Sequence, residues 1–258
     1  MEDSRRLLLE IANCPVVRDI LSRSVSTHCC QTIVNSQQGD SFHLPEPWVG
    51  QIDRVPILFI SSNPSIDREE SFPDTNTKNW PSERIIDFFE NRFTSSAGWV
   101  KNLRVLRRDG SYSKDWVRFW AATRARAAQL LQKSSEAVVP GVDFALMEVV
   151  HCKSKKEHGV SEALDFCTDR YLGRVMQVAR AARVIVVYGG SARKAVCRWP
   201  ALRGLQVGPR RVFGPSLIFG VARMLAFLPA PASWGGKKSF AAEELTVLRK
   251  YLQAEADT

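Results

Sequence analysis

Four short polar stretches in this chain begin where apolar runs end, and each holds groups able to do chemistry. Ser61-Ser62-Asn63-Pro64-Ser65 follows the apolar run Val55 to Ile60. The Asn63 amide can donate and accept at once, enough to hold a water molecule in a fixed orientation. Glu148 lies late in a second run, Phe144 to Val150, with His151, Cys152 and Lys153 after it. Its carboxyl accepts hydrogen bonds when ionised and supplies a proton when burial keeps it neutral. Gly189-Gly190-Ser191 follows the run Val184 to Tyr188 and opens a small helix whose free N–H groups suit a phosphate. Pro229 to Lys238 follows Met224 to Leu228; its glycines permit close backbone approach and its lysines neutralise phosphate. Each stretch also has a plainer account. Asn-Pro favours an ordinary turn, and Glu148 has Lys153 and Lys155 nearby as partners for a simple ion pair.

The elements that must position these groups follow from the same runs. Nearly continuous apolar segments of this length suit strands buried on both faces of a parallel sheet. Helical patterns intervene at Arg5 to Ile11, Trp116 to Gln132, Glu162 to Ala182, from Ser191, and at Ala241 to Ala254. Alternating strands and helices predict an α/β fold, a three-layer α/β/α arrangement around a central, mainly parallel four-stranded sheet. Ligands bind such sheets beyond the C-terminal strand ends, so the four polar stretches are expected to converge on one cleft. Residues 1–50, with a polar Ser/Gln stretch and Leu44-Pro45-Glu46-Pro47-Trp48, are expected as an N-terminal extension to a catalytic domain over 51–258.

The 258 residues, 45% hydrophobic, suffice for one substantial core. Thirty-six Lys and Arg against 27 Asp and Glu give a net charge of +9, which favours a polyanionic partner such as nucleic acid. No stretch approaches the roughly 18 apolar residues that span a bilayer, so a cytoplasmic monomer without a membrane partner is expected. Six cysteines in a chain of this size do not describe a secreted disulfide scaffold; in a reducing compartment they are buried thiols or metal ligands.

Taken together, over roughly residues 50 to 240, these segments resemble the uracil-DNA glycosylase superfamily. Ile57-Leu58-Phe59-Ile60-Ser61-Ser62-Asn63-Pro64-Ser65 is similar to the Gly-x-Asn-Pro-Gly motif of its mismatch-specific and single-strand-selective branches. The block from Met147 to Leu172, with Cys152 and Cys167, and the strand Val184 to Tyr188 ending in Gly189, are closer to the iron-sulfur branch. Leu228-Pro229-Ala230-Pro231 sits where the superfamily has His-Pro-Ser-Pro. The resemblance implies a glycosylase fold, DNA as partner, a base flipped out of the helix, and hydrolysis of its N-glycosidic bond without a cofactor in the chemistry. Asn63 falls on the water-activating position and Glu148 on that of the Asn that reads uracil. Ser62, Pro64 and Ser65 then line the base, with Phe72 the first choice of stacking partner, Trp80 the second, and Leu228 in place of the usual His. DNA contacts fall on Gly189, Gly190, Ser191, Pro229, Ala230, Pro231, Ser233, Trp234, Gly235, Lys237 and Lys238, with Arg104, Arg107, Arg108, Arg118, Arg124 and Arg126 as a further track.

Three departures shape the expected substrate. An ionised Glu148 only accepts, which suits the 4-amino group of cytosine. Ser65 stands where the uracil-specific branch has a Tyr that excludes substituents at C5. With Leu228 for His, a protonated Glu148 is the candidate acid. Together they point to a 5-substituted cytosine, hydroxymethylated or glucosylated, as phages use to mask DNA, and to a bacterial antiviral role. The alternatives are uracil excision in repair, a catalytically weak protein that binds damaged bases, and a hydrolase of free nucleosides. The iron-sulfur branch carries a structural [4Fe–4S] cluster on four cysteines. Here Cys14, one of Cys29 or Cys30, Cys152 and Cys167 are the candidates, the alternative being thiols packed as small hydrophobes.

Overall fold

The computed structural model describes residues 2–37, 41–94, 96–199, 202, 211–231 and 239–254. Its elements in chain order are α1 (Glu2–Ala12), α2 (Pro15–Leu21), α3 (Gln31–Asn35), β1 (Ile57–Ser61), α4 (Ser82–Asn91), β2 (Val100–Lys101), β3 (Arg104–Val105), α5 (Arg118–Leu131), β4 (Phe144–Glu148), α6 (Val160–Cys167), a π-helical turn (Thr168–Leu172), α7 (Gly173–Val178), β5 (Val184–Tyr188), α8 (Gly189–Arg198), β6 (Val212–Ile218), β7 (Val221–Leu228) and α9 (Ala242–Ala254). The fold is α/β with a mainly parallel sheet. β4, β1, β5 and β7 lie side by side in that order, all parallel, and they come from the four apolar runs.

Side-chain alternation along these strands divides the core between the two faces. Leu58, Ile60, Met147, Ile185, Val187 and Phe227 pack on one face with α1–α4 and α6–α8. Phe59, Phe144, Leu146, Val186 and Ala226 pack on the other with α5 and α9. Both faces are covered, which is why the strands are apolar throughout rather than alternating.

The sheet has five strands where four were expected. β6 pairs antiparallel with β7 at the edge. Its sequence conceals it: Gly214, at φ +112°, and Pro215 fall at a register shift between Phe213 and Ser216. An edge strand tolerates such an interruption, and it leaves Leu217 74% exposed. The N-terminal residues contribute to the core. Leu7, Leu8, Ile11, Ile33, Val34 and Trp48 belong to the same buried cluster as the sheet, because the apolar stripe of α1 is covered by α4 and α7. The long helix expected over 162–182 ends at Val178, and Arg223 of β7 explains how. Fully buried, its guanidinium donates to Met176 O and Ala179 O, both at 2.9 Å, occupying carbonyls left open at the helix end.

Among the described residues, no helix is long and apolar enough to cross a membrane.

Candidate active site

Parallel pairing brings the strand ends into one row. Ser61 is level with Glu148, Ile60 with Val187, and Tyr188 with Leu228. The loop after β1 is laced to the loop after β4. Val149 N donates to Ser61 O at 3.0 Å, Val150 N to Ser62 O at 2.9 Å, and Ser154 N to Pro64 O at 3.1 Å. Asn63 is fixed within this lacing. Its Nδ2 donates to Pro64 O and Ser154 Oγ, each at 3.0 Å, and to Cys152 O at 3.4 Å. Two of these partners are carbonyls, which only accept, so the amide nitrogen must face the loop and Oδ1 must face away from it. The side chain is half-buried.

Glu148, at the end of β4, is 6% exposed. Ser61 Oγ donates to its Oε1 at a long 3.4 Å, and Oε2 is buried with no hydrogen-bond partner among the described residues. Burial first, and the neighbouring Glu46 carboxylate second, push its pKa up to about 8. At neutral pH Glu148 is therefore mostly the uncharged acid. A simple ion pair with Lys153 or Lys155 does not form: Lys155 is exposed, and Lys153 Nζ is instead 3.0 Å from Glu46 Oε2 and 3.8 Å from Glu70 Oε2.

Lys153 belongs to a buried cluster that sequence reasoning missed. Arg92 Nη1 lies 3.2 Å from Glu46 Oε1, and Arg92 Nη2 pairs with Glu70. Within the cluster two cations face two carboxylates, so the pull of Lys153 and Arg92 on Glu148 is largely offset by their own partners. Burial works against the charge on Glu46, yet Lys153 and Arg92 hold its carboxyl below the ordinary range. The backbone of Glu46 is tied to His151 in both directions: Glu46 N donates to His151 O, and His151 Nδ1 donates to Glu46 O, each at 2.8 Å. Burial lowers the His151 pKa to about 4, so the ring is neutral. The only sequence signal for Glu46 was a charged residue between two prolines beside Trp48.

The other expected site residues divide. Ser62 donates to Glu157, Pro64 is buried, and Ser65 is exposed and bridges to Ser154. Phe72 is a core residue, 1% exposed, stacked on His43 at 5.3 Å with Lys153 Nζ 3.8 Å from its ring centre. Trp80 packs on Phe88 and Trp99 and lines a cleft of about 630 Å³ with Asn13, Cys14 and Leu44, a different set of neighbours from those of Asn63. Leu228 is buried at the end of the strand row. Gly189, at φ +78°, begins α8 and approaches Ala230: a Cβ placed on it would lie 3.4 Å from the Ala230 Cβ. Gly190 is exposed, and Ser191, Pro229 and Pro231 are half-buried. Ser233, Trp234, Gly235, Lys237 and Lys238 lie outside the described residues.

Four of the five candidate cysteines are buried together. The Cys30 thiol is hydrogen-bonded to that of Cys167, and this contact, with burial, pushes its pKa up. Burial raises the Cys152 pKa, and the nearby Cys14 and Cys30 raise it further. Tyr171 Oη donates to Cys14 Sγ at 3.4 Å. Cys29 is exposed; its thiol lies 3.7 Å from His28 Nδ1 and is also hydrogen-bonded to that of Cys30. His28, Cys29 and Cys30 hold ligand atoms within 4.8 Å of one another, a spacing suited to a single metal ion.

No protein-family model matches the chain, and no curated protein is significantly similar to it.

Proposed function

We propose that this protein is a DNA glycosylase that hydrolyses the N-glycosidic bond of a flipped, modified pyrimidine. The observation that carries the reading is Glu148: a buried, largely protonated carboxyl with one oxygen unpartnered among the described residues, at the C-terminal end of a strand paired with the one whose loop holds the Asn63 amide in one orientation. Perturbed acids at such an edge are what proton-transfer chemistry requires.

In this mechanism Glu148 gives its proton to the departing base while the C1′–N1 bond breaks and its electron pair leaves with the base. Asn63 Oδ1 holds the water that bonds to C1′, and the water's proton restores Glu148. Products are the free base and an abasic site. Leu228 contributes no charge, so the acid takes over the stabilisation of the leaving group.

The acid form also bears on the substrate. An uncharged carboxyl offers one donor and one acceptor, which fits the N3 and amino edge of cytosine and, turned over, the O4 and N3–H edge of uracil. The ionised form fits only the amino group. Exposed Ser65 leaves room at C5, which favours a 5-hydroxymethylated or glucosylated cytosine of phage DNA in antiviral defence. The protonation of Glu148 favours uracil as the second reading. Cys14, Cys30, Cys152 and Cys167 fit a [4Fe–4S] cluster by donor type and grouping. Such a cluster would supply a structural cross-link between the N-terminal helices, the loop after β4 and α6.

The test is base release from oligonucleotides carrying uracil, 5-hydroxymethyluracil, 5-hydroxymethylcytosine or its glucosylated form. Release from the cytosine derivatives, lost in Asn63→Ala and slowed in Glu148→Gln, is the expected result. Release from uracil alone selects the second reading, and no release from any substrate overturns both.

A further inference from the structure

The β2–β3 hairpin and the residues before α5 were not singled out as a unit by the sequence, and they combine three features. The first is unbalanced charge. Lys101, Arg104, Lys114 and Arg118 are exposed, and no carboxylate among the described residues pairs with them. Of the two acids in the segment, Asp109 is engaged by Ser111 N and Oγ and Asp115 is exposed, which leaves the four cations in excess. The second is a cross-strand pairing of like charges, since Lys101 stands directly opposite Arg104. Such a pair destabilises a two-stranded ribbon, so its positive face is held at a cost to folding. The third is Trp116, 61% exposed, which lies just outside the helix expected to contain it. Val117 N donates to Leu103 O at 2.8 Å, and this bond joins Trp116 to the hairpin tip.

The unit is fastened beside the candidate active site. Ser71 N donates to Leu106 O at 2.8 Å and Arg108 N to Glu69 O at 2.9 Å, while Glu70, bridged to Arg107, sends its carboxylate to Arg92 in the buried charge cluster. These anchors fall six to eight residues after Asn63, on the chain leaving the catalytic loop.

We propose that this surface is a second nucleic-acid contact, in which Lys101, Arg104 and Arg118 neutralise phosphates of the strand flanking the flipped nucleotide and the Trp116 indole stacks on an unpaired base. The inference rests on the nucleic-acid partner named above, but on none of the residues assigned to chemistry. Cations alone would suit any polyanion; an exposed indole among them suits one that carries flat aromatic rings.

Fluorescence anisotropy with unmodified single-stranded and duplex oligonucleotides tests it, because binding to these requires no base release. Trp116→Ala is expected to weaken single-strand binding roughly tenfold, the scale of one missing base stack, and Trp116→Phe to restore most of it. Lys101→Glu with Arg104→Glu is expected to reduce the single-strand salt slope by about 1.4, as two phosphates are no longer neutralised. Wild-type affinity in Trp116→Ala overturns the stacking role, as does equal weakening toward heparin, which has no bases. If Trp116→Ala binds normally while the wild type releases base, this inference alone fails. If Trp116→Ala weakens binding while the wild type releases nothing, the surface stands and the glycosylase reading fails.

Discussion

Lys153 and Glu46 form a buried ion pair, Nζ to Oε2 3.0 Å, with side chains 3% and 6% exposed. The pair offsets the cation that the sequence places closest to Glu148, and the Glu46 carboxylate raises the Glu148 pKa more than Lys153 lowers it. Glu148 is therefore next to a charge that opposes its own ionisation. A strand-end glutamate that would otherwise be a spectator becomes an acid suited to neutral pH.

Glu46→Gln isolates this effect. Removing one carboxylate from the cluster leaves Arg92 and Lys153 against Glu70 alone, and the surplus positive charge favours ionised Glu148. The high-pH limb of base release, set by loss of the Glu148 proton near pH 8 in the wild type, is expected to move to lower pH. A pH–rate profile under single-turnover conditions reads it. A variant that lowers the rate equally at every pH, with the limb unmoved, would show that Glu46 serves folding alone.

Stability should carry the same signature. An unfolded Glu148 ionises near 4.5 and the folded one near 8, so between these values the native state keeps a proton that the unfolded chain has lost. Stability contributed by the uncharged group is then complete below 4.5 and declines as pH rises through 8. His43 and His151, held neutral by burial with pKa values of about 3 and about 4, act oppositely and add stability as pH rises toward 6.5. The difference between wild type and Glu148→Gln separates the two. Thermal unfolding is expected to show Glu148→Gln gaining on the wild type steadily above pH 4.5, and parallel curves would refute the shift.

Among the cysteines, burial makes the distinction. If the four inward thiols hold a [4Fe–4S] cluster, Cys14→Ser, Cys30→Ser, Cys152→Ser and Cys167→Ser each lose iron and the brown colour of the anaerobically purified protein. Cys29→Ser keeps both, because its thiol, though in contact with that of Cys30, is exposed while the other four are buried. Iron and sulfide analysis checks this. Loss of metal in Cys29→Ser with retention in Cys152→Ser would move the site outward, to His28, Cys29 and Cys30.

The four parallel strands were legible because burial on both faces writes itself as an unbroken apolar run, and the polar residues at their C-terminal ends fall in one row. β6 was not, since an edge strand with one exposed face and a Gly-Pro interruption has neither run nor alternation. Asn63 and Glu148 stood out as polar groups where apolar runs end. Glu46, Glu70 and Arg92 did not, because their meaning lies in contacts between residues 22 and 107 positions apart, which no local pattern encodes. Periodicity places Trp116 in a helix, while the Val117 to Leu103 hydrogen bond holds it outside.

Gly159 offers a test of how the N-terminal helices are held to the rest of the fold. It caps α6 at φ +78°, and a Cβ there would lie 2.5 Å from Ile33 N and 2.7 Å from Ile33 Cα. The obstacle is the backbone of α3, which cannot rotate away as a side chain could. Gly159→Ala adds this clash to a left-handed backbone cost of about 1–2 kcal/mol, so a loss above about 2 kcal/mol in denaturant unfolding is expected. Because α3 begins directly after Cys30, its displacement should also separate the Cys30 thiol from Cys167, so that any bound iron falls with stability. Gly190→Ala is the control. A Cβ there meets nothing within 4 Å, and stability should stay within about 0.5 kcal/mol of wild type. Equal stability of both variants would mean that α3 yields freely and that its close approach to α6 is not what holds the thiols together.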